Sequence, residues 1–315
     1  MSSLQKTKFQ PKPEWIKVKL PGGSEFKRIS QMLRERNLFT VCEEARCPNI
    51  AECWSGGTAT LMIMGEKCTR GCRFCNVKSG LPDGPLDPFE PQKAAETVEL
   101  MNLDYVVITS VDRDDLPDQG APHFARTIEA IHARTPHVMI ETLIPDFRGD
   151  QACLQTISQS APDVLAHNIE TVRRLTPTVR DQRATYEQSL KVLAFVKSIK
   201  KDQWTKSSIM LGLGETQSEL MQTFEDLRAH GVNFLTLGQY LQPSKKHLKV
   251  TRFYTPDEFK TLQEQALSFG FDYVASGPLV RSSYRAGEFF IRNVVDAKRK
   301  ASRNISRNGQ LLPVV

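Results

Sequence analysis

From about residue 58 the chain alternates short runs of β-branched and aliphatic residues with longer stretches whose apolar positions recur every three or four residues. Short apolar runs bounded by turn residues read as buried strands, and the wider spacing reads as amphipathic helix. TATLMIM from Thr58, DYVVITSV from Asp104, HVMIETLI from His137, DVLAHNIE from Asp163, SSIMLGLG from Ser207, FLTLGQYL from Phe234 and YVASG from Tyr273 are the predicted strands. Between them PQKAAETVELMN, HFARTIEAIHA, TYEQSLKVLAFVKSI, TQSELMQTFEDLRAH and PDEFKTLQEQALSFG predict helices, with Pro or Thr near their starts, where such residues suit the cap and first turn. This alternation builds a parallel sheet covered by helices. Too few units are present to close an eight-fold barrel. The expected fold is therefore α/β, a partial (β/α)6 TIM-type barrel, laterally open, over residues 58–280, with an N-terminal extension at 1–57 and a C-terminal one at 281–315.

Composition narrows the class. Hydrophobic residues make up 40% and charged residues 25% of the chain, near the averages for soluble globular domains, which argues against a disordered or membrane protein. No uncharged apolar run approaches the roughly 18 residues of a membrane span, and the opening MSSLQKTKFQPKPEW has neither an apolar core nor an Arg-rich amphipathic face. A cytoplasmic protein is expected. The seven cysteines then read as reduced ligands or core residues rather than a disulfide framework. Lys and Arg crowd both ends, in KVKLPGGSEFKR and DAKRKASRNISR. Such ends suit an acidic partner or simple solvation, and with no aromatic-interleaved RNA motif beside them nucleic acid is not expected as a partner.

The cysteines carry the chemistry. Cys68, Cys72 and Cys75 form a C-x3-C-x2-C loop directly after the first strand, on the predicted active face. Three thiolates on one glycine-containing loop can hold three corners of an iron–sulfur cubane, and no fourth local cysteine completes it. The open iron can then bind and reduce a ligand. Zinc would want four Cys or His ligands, and no histidine lies nearby. Cys42, Cys47 and Cys53 form a second set, C-x4-C-x5-C, just upstream of the barrel, again with three thiolates. Cys153 in DQACLQTI shares a helix face with Ile157 and reads as core.

CTRGCRFC, with Phe74 before its last cysteine, resembles the signature of radical S-adenosylmethionine (SAM) enzymes. Together with CEEARCPNIAECW, VDRDDLPDQGA and GPLVRSSYRAGEFF, it makes the chain similar to the lipoyl synthase family along nearly its whole length. The resemblance implies a radical SAM sulfurtransferase with two 4Fe-4S clusters that uses two SAM molecules per product. In it Cys68, Cys72 and Cys75 hold the SAM-cleaving cluster. Cys42, Cys47 and Cys53 hold an auxiliary cluster whose fourth ligand is the Ser283 oxygen of the RSSY motif, with Ser282 as the alternative. A hard alkoxide beside thiolates is the weaker bond, which suits a cluster that is consumed. The implied reaction inserts sulfur from that cluster at C6 and C8 of a protein-bound octanoyl-lysine. The implied partners are octanoylated lipoyl carrier domains (2-oxoacid dehydrogenase E2 subunits and the glycine cleavage H protein), a flavodoxin or ferredoxin electron donor, and an iron–sulfur carrier that renews the cluster.

Polar residues at the carboxyl ends of strands face the site of a βα barrel, so Thr109, Ser110, Asp112, Asn168, Glu170, Glu215, Gln239 and Tyr240 are candidates for holding SAM or substrate. The resemblance singles out Phe74, Ser110, Asn168 and Glu170 as cofactor-binding. LGLGET lacks the third glycine of a dinucleotide fingerprint, which argues against NAD. Lys245, Lys246 and Lys249 suit an acidic carrier or plain solvation. Two rival readings stand beside the main one: a radical SAM enzyme whose auxiliary cluster only transfers electrons, and a non-catalytic iron–sulfur protein that binds nucleic acid.

Overall fold

The computed structural model describes residues 12–16, 24–36, 38–44, 47, 49–55 and 58–283. The basic carboxyl-terminal run and Tyr284 of the RSSY motif lie outside the described residues, as does most of the basic amino-terminal run. Seven parallel strands pair in chain order: β1 (Thr58–Ile63), β2 (Tyr105–Ser110), β3 (Met139–Leu143), β4 (Val164–Ala166), β5 (Trp204–Leu211), β6 (Phe234–Gln239) and β7 (Tyr273–Gly277). Each of the first six is followed by a covering helix, namely α1 (Glu90–Leu100), α2 (Ala121–Arg134), α3 (Gln151–Gln159), α4 (Tyr186–Ile199), α5 (Gln217–Ala229) and α6 (Pro256–Ser268). The register aligns Thr58 with Tyr105 and Ile63 with Ser110, then Tyr105 with Met139, so the strand ends form one rim. Among the described residues β1 and β7 do not pair. The outer edge of β1 instead carries the two-residue antiparallel strand Phe39–Thr40 from the N-terminal extension, which covers part of an otherwise bare edge. The barrel is laterally open, with six strand–helix units and a terminal seventh strand.

Every residue of β1 and of β6 is buried, as expected for parallel strands covered on both faces. Helix starts follow local chemistry. Thr216 and Thr255 close capping boxes with Glu219 and Glu258, satisfying backbone donors that a helix leaves open. The barrel floor is polar. Lys206 on β5 donates to both oxygens of Glu141 on β3 at 2.9 and 2.8 Å, and Tyr105 on β2 donates to the same carboxylate. Strands β3 and β5 are not neighbours, so this ion pair spans the interior and closes it beneath the cavity described below.

Six of the seven predicted strands differ in extent from the observed ones, and three are instructive. β1 stops at Ile63 because Met64 takes a left-handed φ of 68°, which leaves the strand ladder. β5 starts earlier, at Trp204. β4 runs only to Ala166, and the ladder resumes as a single bridge between Glu170 and Ile209. Between them His167 and Asn168 turn to the cavity wall, which Glu170, with a left-handed φ of 69°, also lines, while Ile169 packs into the core. Cys153 is buried on α3 and its thiol donates to the carbonyl of Asp118 at 3.3 Å, a core role as expected.

Candidate active site

A cavity of about 860 Å³ opens at the carboxyl ends of the strands. The loop leaving β1 delivers the first cysteine set to its wall. Cys68, Cys72 and Cys75 all line the cavity and none is in a disulfide. Backbone amides point at two of the sulfurs: those of Asp112 (3.3 Å) and Arg70 (3.5 Å) at Cys68, and that of Asp181 (3.4 Å) at Cys72. Such N–H···S bonds favour negatively charged sulfur and tune any cluster it holds. Burial, reinforced by Asp112, pushes the Cys68 thiol up to about 12, and burial does the same to Cys75. Metal ligation by these thiols therefore has to displace protons.

The loop is held by one buried cation. Arg70, 3% exposed, donates to Asp114 through Nε and Nη2 at 3.0 Å, and to Asp146 through Nη1 at 2.8 Å, and lies 3.2 Å from Asp112. Asp114 is tied in turn to Arg148 and Arg183. One guanidinium thus fastens the cysteine loop to the loops after β2 and β3, and bidentate geometry of this kind fixes orientation as well as distance.

The second cysteine set sits beside the same cavity. Cys42 lies on the short helix Val41–Glu44 and Cys53 on Ile50–Ser55, and Cys47 links them by donating its amide to the Cys42 carbonyl at 2.9 Å. Cys42, Cys47 and Cys53 line a small adjoining void together with Thr60, Arg281 and Ser283. Ser283 reaches it from the segment after β7, whereas Ser282 lines only the larger cavity. Asn49 donates to the Leu279 carbonyl at 2.7 Å and pins this segment to the cysteine loops. At Gly238 on β6 the strand and the segment touch: a Cβ there would stand 2.1 Å from the Val280 carbonyl oxygen. Cys42, Cys47, Arg281 and Ser283 face both spaces. Burial pushes the Cys42 thiol up to about 12 and pulls the Arg281 guanidinium down, while Cys47 draws Arg281 back up.

The residues fit the groups the resemblance implies. Three thiols and one hydroxyl converge on the smaller void. Among the described residues no three His, Cys, Asp or Glu side chains are placed to hold a single metal ion, and a polynuclear cluster is the species whose corners need separated donors. The larger cavity carries orphaned polar atoms: Ser110 Oγ and Arg180 Nε are buried with no protein partner, although Arg180 also donates to Ser189 at 2.6 Å. Asn168 donates to Glu170 at 3.1 Å, and both line the cavity with Phe74. Burial pushes the Glu170 carboxyl up, against the pull of Arg180.

Some nominated polar residues serve the scaffold. Gln239 uses its amide on the carbonyls of Leu211, Tyr240 and Arg252 and accepts from the Tyr254 amide. Glu215 caps the amides of Gly212 and Leu213 and lies off the cavity wall. Thr109 donates to the Leu143 carbonyl, and Tyr240 donates to that of Leu248. Arg70, Arg180, Gly238 and Arg281 were not singled out from the sequence. Arg70 lies inside CTRGCRFC and Arg281 inside RSSY, which is a local signal for both, whereas nothing local marks Arg180 or Gly238.

Comparison with known proteins agrees with this geometry. The Radical SAM superfamily profile matches residues 62–227. Among solved structures of low identity, the FeFe-hydrogenase maturase HydG of Carboxydothermus hydrogenoformans superposes with a TM-score of 0.54 at 11% identity, over 86% of this chain and 78% of that one. Streptococcus suis SuiB bound to S-adenosylmethionine gives 0.53 at 10% identity, over 81% and 62%. These likenesses concern the fold, and fold and profile together define a radical SAM protein. Residues 2–47 match the N-terminal domain of lipoyl synthase of the Radical SAM family. The lipoyl synthase of Myxococcus xanthus (strain DK1622) is 57% identical over 93% of this chain and 98% of its own length, and the mitochondrial lipoyl synthase of Culex quinquefasciatus is 56% identical over 92% and 78%. The chain belongs to the lipoyl synthase family, radical SAM sulfurtransferases that use S-adenosylmethionine and 4Fe-4S clusters. No helix among the described residues is long and apolar enough to cross a membrane.

Proposed function

We propose that the chain converts a protein-bound octanoyl-lysine to lipoyl-lysine by inserting sulfur at C6 and C8. The observation that carries this reading is that Cys68, Cys72 and Cys75 line one cavity together with Cys42 and Cys47 of the second set, so a single substrate chain can meet both. Cys68, Cys72 and Cys75 are assigned to the SAM-cleaving cluster, and Cys42, Cys47, Cys53 and Ser283 to the auxiliary one. When bound, the first cluster and SAM supply the hydrogen-abstracting radical and the second supplies the sulfur.

The chain's own groups bind and position. An unactivated C–H bond offers nothing for a side-chain acid or base to work on, so the protein's part is placement and exclusion of water. Arg180, buried with a free Nε in the cavity wall, is matched to the carboxylate of a methionyl group. Ser110, Asn168 and Glu170 offer the remaining polar contacts for SAM, and Phe74 an apolar one. Val41, Ile50, Leu241 and Val280 line the cavity and suit an acyl chain. Residues 1–57 and 281–315 are read as the two extensions that together carry the auxiliary site. Octanoylated E2 or H-protein domains, a flavodoxin or ferredoxin donor, an iron–sulfur carrier and a reducing compartment such as the cytoplasm belong to the same proposal.

The test is anaerobic turnover of reconstituted protein with an octanoyl-lysyl peptide, dithionite and SAM, followed by mass spectrometry. Cys42→Ala is expected to keep forming 5′-deoxyadenosine and to make no sulfur-bearing product, whereas Cys68→Ala loses both. Sulfur insertion by Cys42→Ala overturns the assignment of the sulfur source.

A further inference from the structure

Between β6 and α6 the chain runs through Leu241, Gln242 and Pro243, which line the cavity, into a turn that exposes Lys245, Lys246 and Lys249. Among the described residues no carboxylate lies in ion-pair contact with any of the three, and charges left unpaired on one small surface raise the local positive potential. A run of exposed lysines is ordinarily a solvated tail or flexible loop. This one is neither. Within the turn, Gln242 Nε2 donates to the His247 carbonyl at 2.8 Å, and the Ser244 hydroxyl lies 2.9 Å from His247 Nδ1. Its base is tied down by Tyr240, whose hydroxyl donates to the Leu248 carbonyl at 2.8 Å. Two further bonds fasten it to the cysteine loop: His247 Nε2 to the Cys75 carbonyl at 2.9 Å, and the Leu248 amide to the Arg73 carbonyl at 3.3 Å.

We propose that this turn is the docking surface for the acidic face of the acyl-carrying protein. The proposal rests on the carrier-bound substrate assigned above. A carrier that feeds its acylated lysine into the cavity must bring its own surface against the rim, and the lysines lie on the turn that leaves the cavity wall at Pro243. Because the turn is pre-organised by its hydrogen bonds, binding does not have to order it, which lowers the cost of association. Rim charges of this kind act chiefly on association rate and salt dependence, so the surface selects acidic carriers without touching the reacting carbons. Its bonds to the carbonyls of Arg73 and Cys75 also fix its position relative to the cysteine loop.

The experiment uses the reconstituted full chain and two probes, an octanoylated carrier domain with carboxylates around its acylated lysine and a free octanoyl-lysyl peptide. Binding of the carrier is measured by anisotropy across salt concentration for the wild type and for Lys245→Glu/Lys246→Glu/Lys249→Glu. Turnover of the peptide is measured in parallel. The expected result is carrier affinity weaker by about tenfold or more in the variant, with a flattened salt dependence, and peptide kcat and KM unchanged. Equal carrier affinity in the two proteins overturns the docking surface, and so does a matching loss on the peptide, which would place the lysines' effect in the cavity. Tighter, lysine-dependent binding of a single-stranded oligonucleotide than of the carrier also overturns it. Failure of the wild type to insert sulfur into either the octanoylated carrier or the peptide counts instead against the octanoyl-lysine substrate.

Discussion

Replacing Gly238 by alanine should empty the auxiliary site while leaving the SAM-cleaving site intact. Gly238 has no left-handed φ, so the substitution brings no backbone strain of its own and acts only through the methyl group. That methyl would stand 2.1 Å from the Val280 oxygen and 3.0 Å from its carbonyl carbon, against an ordinary contact of about 3.5 Å. Strand and segment must therefore part by roughly 1.4 Å, at an overpacking cost of about 1–3 kcal/mol. The segment is anchored on either side of this crossing, by the Val280 amide to the Gly277 carbonyl at 3.1 Å and by Arg281 Nη1 to the Gln239 carbonyl at 3.4 Å. A shift of that size carries Ser283 outside the tolerance of roughly 0.2 Å within which a metal ligand works. If the whole cost falls on cluster binding, affinity at the auxiliary site drops about 5- to 150-fold. Iron and sulfide analysis after anaerobic reconstitution should show the content falling toward half, with 5′-deoxyadenosine formation retained and sulfur insertion lost. Gly84→Ala, where an added Cβ meets nothing within 4 Å, is the control. Full occupancy of both sites in a folded Gly238→Ala protein would refute the reasoning.

Two further outcomes follow from buried groups. Arg180→Ala should weaken SAM binding by roughly ten- to a hundredfold, the size of one lost hydrogen bond to a charged group. Arg180→Lys should not restore it, because an ammonium lacks the planar fork; unchanged SAM affinity by calorimetry would remove Arg180 from the site. His167 lies buried between the Ile144 carbonyl and the Ser189 hydroxyl, each 2.9 Å away. Burial, aided by Arg180, pulls it down to about 4 from 6.5. The folded state favours the neutral ring, so its full contribution is present above pH 6.5 and is lost as the pH falls toward 4, by about 3 kcal/mol. Urea unfolding at pH 7 and pH 4.5 should show a loss in the wild type that His167→Gln lacks, and identical losses in both would refute it.

Much of the site was legible because its chemistry is local in the chain. Cys68, Cys72 and Cys75 lie within one loop, and their spacing alone indicates three ligands and a missing fourth. The strand–helix rhythm likewise exposes the barrel, since both periods are short-range properties of the backbone. Errors arose where a single backbone conformation or a distant contact decided the outcome. DVLAHNIE reads as one strand, yet its pairing stops at Ala166 and its polar residues Asn168 and Glu170 line the cavity. Gln239 and Glu215 stand at strand ends like ligands, but backbone groups of β5 and of neighbouring loops take their hydrogen bonds.

What the sequence determined by itself is the fold class, the two cysteine sets and, through family resemblance, the chemistry, because these depend on residue type and short spacing. What only the tertiary structure decided is how distant segments meet. It brings Ser283 into the void with Cys42, Cys47 and Cys53, lets Gly238 admit Val280, and sets Arg180 with a free donor in the cavity wall. Those relations join residues far apart along the chain, and only packing of the folded barrel specifies them.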